Sequence, residues 1–349
     1  MKETPLSTRK EIKPLFTLGQ AVLILIILNI ILFIVSLSLG RYKIDPIIVS
    51  KAILGKVFPL KQTIDDTVKT VIFDIRLPRV LAALLIGASL SQSGAAYQGI
   101  FDNPLVSPFI LGLSSGAGFG AALAILIGGN YLVVELFAFI FSIIAVLLSI
   151  FISRSQKSPN TVTLVLSGFI VSSLFTSLIS FFKYYADPYT KLPSIVFWLM
   201  GSLSQISMKD VIFIAPIIIV SLILLYLLRW KLNILSLGNE EATLLGENPA
   251  RLRSIIIFLS TLLTSLSVSI SGVIGWVGLV IPHIGRMLVG PDFRKLLPVS
   301  TLLGAFYLLL IDDLARSISA SEIPIGILTA LIGTPFFIYL IRRGKYRWS

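Results

Sequence analysis

The chain of 349 residues contains no cysteine and one histidine, which excludes a disulfide framework and leaves almost none of the usual ligands for a protein-made metal cage. Charge is scarce as well: 13% of residues are Asp, Glu, Lys or Arg, against 56% hydrophobic residues and a mean hydropathy of +0.95. A soluble domain of this length has too few polar residues to cover so much apolar surface. A phosphate loop of the form G-x-x-x-x-G-K-[ST] is also missing, since Gly55-Lys56 and Gly344-Lys345 lack the glycine spacing before them. Gly116-Ala-Gly-Phe-Gly120 lies inside an apolar run, without the preceding strand that a dinucleotide fingerprint requires. One histidine and no cysteine likewise leave little for an intramembrane catalytic constellation.

What is present is a series of uninterrupted apolar runs, and these read as helices because membrane β-strands alternate apolar with polar residues. Ten runs stand out, at about 15–39, 77–99, 107–127, 131–152, 161–182, 211–228, 254–271, 273–289, 296–314 and 323–341. The reading is an all-α integral membrane protein of about ten transmembrane helices. Its organisation is a basic tail (1–14), a single transmembrane domain (15–341) and a second basic tail (342–349). Leu15–Leu39 is too long for the core of a cleavable signal. The eighth run is short, and Gly272, Gly275 and Gly278 join it to the seventh, so a broken or tilted span is expected there.

The formal charge of +12 sits mostly at the ends of the runs, as expected for cytoplasmic flanks rather than a nucleic-acid partner. Ten crossings put both termini in the cytoplasm, together with Arg154 and Lys157, Arg229 to Arg253, and Arg286 to Lys295. One loop dissents. Residues 41–75 would be external yet hold six bases, including Arg41 and Lys69. Ile47–Val57 there, and Pro193–Leu203 later, read as short helices at the outer interface.

Two copies of S-x-S-x-S-G, Ser89 to Gly94 and Ser267 to Gly272, are each followed by a proline (Pro104, Pro282) and a glycine (Gly112, Gly290) at matching offsets. They lie 178 positions apart (94 to 272) with five crossings between, an odd number, so an inverted internal repeat is expected, which is a transporter architecture. Small residues crowd the first copy (Ser89, Ser91, Ser93, Gly94) and a second stretch (Ser114, Ser115, Gly116). These stretches serve a pathway or close helix packing. Asp312 and Asp313 are the main intramembrane carboxylates, and Asp312 is spaced to pair with Arg316 on one helix face. His283 reads as a hydrogen-bonded residue near the cytoplasmic end of the eighth span.

One stretch reads as soluble protein between two apolar runs: Leu237, Gly238, Asn239, Glu240, Glu241, Ala242, Leu245 and Gly246. Asn239 is expected to cap a short helix with two acids in its first turn and Leu237, Leu244 and Leu245 on its apolar side. Gly246 ends it, and Asn248–Pro249 opens the next helix. An energised transporter without its own motor needs one from another chain, and this cytoplasmic knob is where such a partner would push.

The motifs Arg76-Leu-Pro-Arg79, Asn103-Pro-Leu-Val-Ser-Pro108, Gly275-Trp-Val-Gly-Leu-Val-Ile-Pro-His-Ile-Gly-Arg286, Glu322-Ile-Pro-Ile-Gly326 and Gly333-Thr-Pro-Phe336 resemble the FecCD-type permease subunits of iron–siderophore and vitamin B12 ABC importers. The likeness covers nearly everything after the first span. It implies the vitamin B12 permease fold of a type II ABC importer, with a second permease copy or close paralogue in the membrane. It further implies two ATP-binding subunits below, carrying ATP and Mg, and an extracytoplasmic substrate-binding protein above. No cofactor or metal is expected on this chain. By the same resemblance, coupling helices at about 237–249 dock the ATPase, and Arg76, Arg79 and Arg316 receive carboxylates of the binding protein. The implied cargo is a metal chelate, a ferric siderophore first; a corrinoid, haem or a molybdate-like oxyanion are alternatives. An ion-coupled secondary transporter is the reading from another class, and it would rest on Asp312 or Asp313.

Overall fold

The computed structural model describes residues 15–40, 42–57, 65–155, 161–319 and 321–343, and the regular elements among these are all helices. The chain runs through α1 (Leu18–Ser38), α2 (Pro46–Val57), α3 (Asp66–Thr70) and a π-helical turn (Val71–Arg76) into α4 (Leu77–Ile100). There follow α5 (Leu113–Leu126), α6 (Tyr131–Arg154), α7 (Thr161–Tyr185), α8 (Lys191–Met200), α9 (Met208–Leu227), α10 (Arg229–Leu235) and α11 (Asn239–Leu244). The chain closes with α12 (Pro249–Ser271), α13 (Val277–Val289), α14 (Phe293–Ser317) and α15 (Ile325–Arg343). Each expected apolar run holds one of these helices. Both short helices expected at Ile47–Val57 and Pro193–Leu203 are present, as α2 and α8, the latter stopping at Met200 because Gly201 turns the chain at φ +74°. Most of both tails, Arg41 and Lys157 lie outside the described residues.

Among the described residues, six helices (α1, α6, α7, α9, α12 and α14) are long and apolar enough to cross a membrane by length and composition. α4 is as long as these and more polar than α1, α6, α7 and α9, and its position explains why. It packs against α9, α12, α13 and α14, and every residue from Ile86 to Ile100 is buried. A helix ringed by protein has no lipid-facing side to keep apolar, and small residues let its neighbours approach. A Cβ on Gly94 would lie 1.8 Å from the Gly278 carbonyl oxygen, and one on Gly87 would lie 2.2 Å from that of Gly304.

The internal repeat exists, in a register different from the one the S-x-S-x-S-G copies suggest. The quartet α4–α5–α6–α7 has lengths of 24, 14, 24 and 25 residues, and α12–α13–α14–α15 has 23, 13, 25 and 19. Packing follows the exchange of one quartet for the other. α4 packs on α14 as α12 packs on α6, and α4 on α13 as α12 on α5; α5–α6, α5–α7 and α6–α7 are matched by α13–α14, α13–α15 and α14–α15. Helix starts differ by 172, 164, 162 and 164 positions (77 to 249, 113 to 277, 131 to 293, 161 to 325), none of them 178. At the offset of 178, Pro104 in a turn would match Pro282 inside α13, and Gly94 inside α4 would match Gly272, the cap of α12. The motif coincidence therefore marks two small-residue stretches, and the repeat itself is carried by helix lengths and packing.

The second member of each quartet is short. At 1.5 Å per residue α5 spans about 21 Å and α13 about 20 Å, against a hydrocarbon core of about 30 Å. Each is preceded by non-helical chain: 272–276 is buried or half-buried, whereas 101–112 is partly buried and exposes Asp102, Asn103 and Leu105. The expected break at the eighth span is thus present, and the third span has its counterpart.

Candidate coupling, docking and pathway sites

At one end of the bundle the π-helical turn and the first turn of α4 carry Arg76 and Arg79 towards the last turns of α1 and α14. Arg79 donates from Nε to both Asp312 carboxylate oxygens, at 2.9 and 3.0 Å, and from another nitrogen to both oxygens of Glu322, at 2.9 Å each. Arg316 binds Asp313 and donates to the carbonyls of Ser36 and Leu39. Arg76 donates to the carbonyls of Leu37 (2.7 Å), Ser38 (3.0 Å) and Tyr42, and the Ser36 hydroxyl completes the set by donating to Asp313. The three arginines therefore sit at the helix ends expected for them, but their guanidiniums turn inward, where the buried carboxylates of Asp312 and Asp313 require cations. The expected Asp312–Arg316 pair is loose at 3.8 Å; the tight partners are Arg79 for Asp312 and Asp313 for Arg316. Glu322, at the start of the Glu322 to Gly326 motif, is the participant whose pairing the sequence reading missed. Its side chain is 38% exposed, so it forms the rim of the cluster.

The small-residue stretches fall into two settings. Ser89, Ser91 and Ser93 are fully buried, with their hydroxyls donating to the carbonyls of Leu85, Ser300 and Ser89, while Gly94 meets Gly278. A passage lined by these serines is not what a single subunit builds, because every hydroxyl is turned to helix backbone. Gly116 packs on α6, where a Cβ would lie 2.4 Å from the Phe141 carbonyl oxygen; Ser114 and Ser115 beside it are half-buried. His283 lies mid-way along α13 rather than near its end, buried against the rings of Phe336 and Phe337, both centred 6.0 Å away.

The knob is folded as a unit. Gly238, at φ +116°, caps α11, so Asn239 is the first helical residue and not the expected cap; Glu240 and Glu241 occupy the first turn. Ala242 is fully buried against the base, whereas Leu237, Leu244 and Leu245 are 59, 88 and 60% exposed. Gly246, at φ +80°, ends the helix, and the Asn248 side chain accepts from Arg251 N (3.0 Å) to start α12 with Pro249 at its first position. Lys231 on α10 bridges to Glu247 at 2.9 Å. Asn233, two residues on, donates to Asp292 (2.7 Å) and accepts from Phe293 N (2.9 Å), fastening α10 to the head of α14. Burial alone would raise the Asp292 pKa, but hydrogen bonds from Arg294 and Asn233 outweigh it and bring it down to about 2.

A model described as the FecCD transport family matches residues 26–343. The chain belongs to this family. Among FecCD-type relatives, it is 45% identical over 324 residues to a molybdate import system permease of Haemophilus influenzae, covering 92% of this chain and 95% of that one. It is 44% identical over 282 residues to a probable iron chelatin permease of Helicobacter pylori (80% and 85% covered). A cobalamin import permease of Halobacterium salinarum shares 38% over 290 residues (83% and 78%). Its fold matches, with a TM-score of 0.84 and 42% identity over 93% of this chain and 99% of the other, a solved inward-facing structure described as a metal-chelate type ABC transporter. The protein is thus a multi-pass membrane permease of the ABC importer class, a transport subunit.

Proposed function

We propose that this FecCD-family permease carries a metal chelate, a ferric siderophore first, from a soluble extracytoplasmic binding protein into the cytoplasm. It works beside a second copy or close paralogue, above two ATPase subunits that hold ATP and Mg, with both its termini in the cytoplasm. The knob carries this reading: three exposed leucines stand on a salt-bridged base, and exposed apolar side chains clustered in one short element mark a partner surface. Docking of the binding protein at Arg76, Arg79 and Arg316 requires receptor carboxylates to take over from their internal partners, and Glu322 is the exposed partner to displace first.

The 45% identity to a molybdate permease supports a second reading, a molybdate-like oxyanion as cargo. Ion-coupled transport has less support, since Asp312 and Asp313 are both engaged by arginine. The test is to purify the chain from its native membrane, identify the co-purifying ATPase and receptor, and reconstitute the set in liposomes. ATP-dependent uptake of labelled ferric siderophore, without uptake of molybdate, is the expected result; molybdate uptake alone selects the second reading. Gradient-driven uptake by the lone chain overturns both.

A further inference from the structure

Away from the charge cluster and the knob, a cleft of about 470 Å³ opens between α6 and α12, bounded below by the start of α7 and behind by the end of α4. Its lining residues on α6 run from Ile143 to Arg154 and on α12 from Ala250 to Leu262, in each case one helical face at three- and four-residue spacing. At 1.5 Å per residue those faces are about 17 and 18 Å deep. That is close to half of the ~30 Å hydrocarbon core, so the cleft spans one leaflet and stops. Its rim is greasy and open: Leu147 is 58% and Phe258 65% exposed, which on membrane helices means contact with lipid.

The other end is charged. Arg154, in the last turn of α6, and Arg253, in the first turns of α12, both line the mouth. Neither has a carboxylate within ion-pairing distance among the described residues, and Arg253 Nε is buried without a hydrogen-bond partner there. Two cations left unneutralised at the head of an apolar slot one leaflet deep ask for an amphiphile with an anionic head and an acyl tail. The head must face the cytoplasm, since these arginines sit at the same end of the bundle as the knob that leads into α12.

We infer that this cleft is a binding site for one anionic phospholipid of the cytoplasmic leaflet, with its phosphate at Arg154 and Arg253 and one acyl chain lying between α6 and α12. The volume lies inside the range of about 300–1,000 Å³ usual for small-molecule sites. The choice of leaflet rests on the importer reading, which makes the knob cytoplasmic; the site itself concerns the chain and the bilayer alone.

The experiment is native mass spectrometry of the full purified chain, titrated with phosphatidylglycerol against phosphatidylcholine. The expected result is one phosphatidylglycerol retained with about tenfold preference. The preference falls away in Arg154→Gln/Arg253→Gln, and survives in Arg154→Lys/Arg253→Lys and in Arg251→Gln, which changes an exposed arginine outside the cleft. Ile150→Trp, which fills the slot without touching its charge, lowers retention of the lipid, and melting temperatures confirm which variants are folded. Unchanged preference in the double Gln variant overturns the proposal. So does full retention in a folded Ile150→Trp, or displacement of the lipid by excess inorganic phosphate, since either shows a headgroup contact without a chain site.

Discussion

Arg79 holds Asp312, 233 positions away, by hydrogen bonds of 2.9 and 3.0 Å from Nε to the two carboxylate oxygens, with Asp312 wholly buried. This pair ties the head of α4 to the tail of α14. Breaking one side leaves an uncompensated buried charge, at a cost of about 3–5 kcal/mol, whereas replacing both with apolar residues removes the penalty. Arg79→Leu alone should therefore lower the melting temperature in detergent more than Arg79→Leu/Asp312→Leu does. If the two losses are equal, Asp312 does not depend on Arg79 for its charge balance.

The approach of α4 to α13 predicts a second asymmetry. Gly94→Ala places a methyl group 1.8 Å from a backbone oxygen that cannot swing aside, whereas Gly275→Ala meets nothing within 4 Å. Overpacking of this kind costs about 1–3 kcal/mol and often more. Gly94→Ala should give poorly folded or markedly less stable protein by thermal unfolding, and Gly275→Ala should stay near the wild type.

At the knob the expectation is reversed, with function lost and stability kept. Leu244 is 88% exposed, and exposed substitutions usually change stability by no more than about 0.5 kcal/mol. Leu244→Asp should leave the melting temperature of the isolated chain unchanged and abolish ATP-driven uptake in the reconstituted set. Normal uptake would remove the knob from the coupling path.

Asp292 gives a pH signature. Its folded pKa of about 2 lies below its ordinary value of 3.8, so its contribution to stability is complete above that value and disappears as pH falls through 3.8 towards about 2. The stability difference between wild type and Asp292→Ala should be constant from pH 7 to about 5 and shrink below about 4, followed by thermal unfolding in detergent. A difference that does not change with pH would mean that the carboxylate charge is idle there.

Much of this was legible in the residues. All ten apolar runs became helices, the knob's glycine stop and the Asn248–Pro249 start are in place, and the short helices α2 and α8 were visible at Ile47–Val57 and Pro193–Leu203. Side-chain direction was less legible. Spacing puts Arg76, Arg79 and Arg316 at helix ends, but Arg79 turns to Asp312 and Glu322, 233 and 243 positions away, and Arg76 to carbonyls of Leu37, Ser38 and Tyr42. The serine repeat misled for a related reason: small residues recur wherever helices touch, so Ser89 to Gly94 and Ser267 to Gly272 match without being equivalent. Glu322 carries no periodic signal, because it lies in a loop, and it took the fold to bring it beside Arg79.

The link from Asn233 to Asp292 and Phe293 has a mechanical consequence. α14 begins at that fastening and carries Asp312, Asp313 and Arg316 in its last turns, about 29–35 Å further on. One rod therefore has its foot clamped to the base of the knob and its crown set in the arginine cluster. The knob's base and the arginine cluster are thus joined along one helix, with neither lipid nor loop between them.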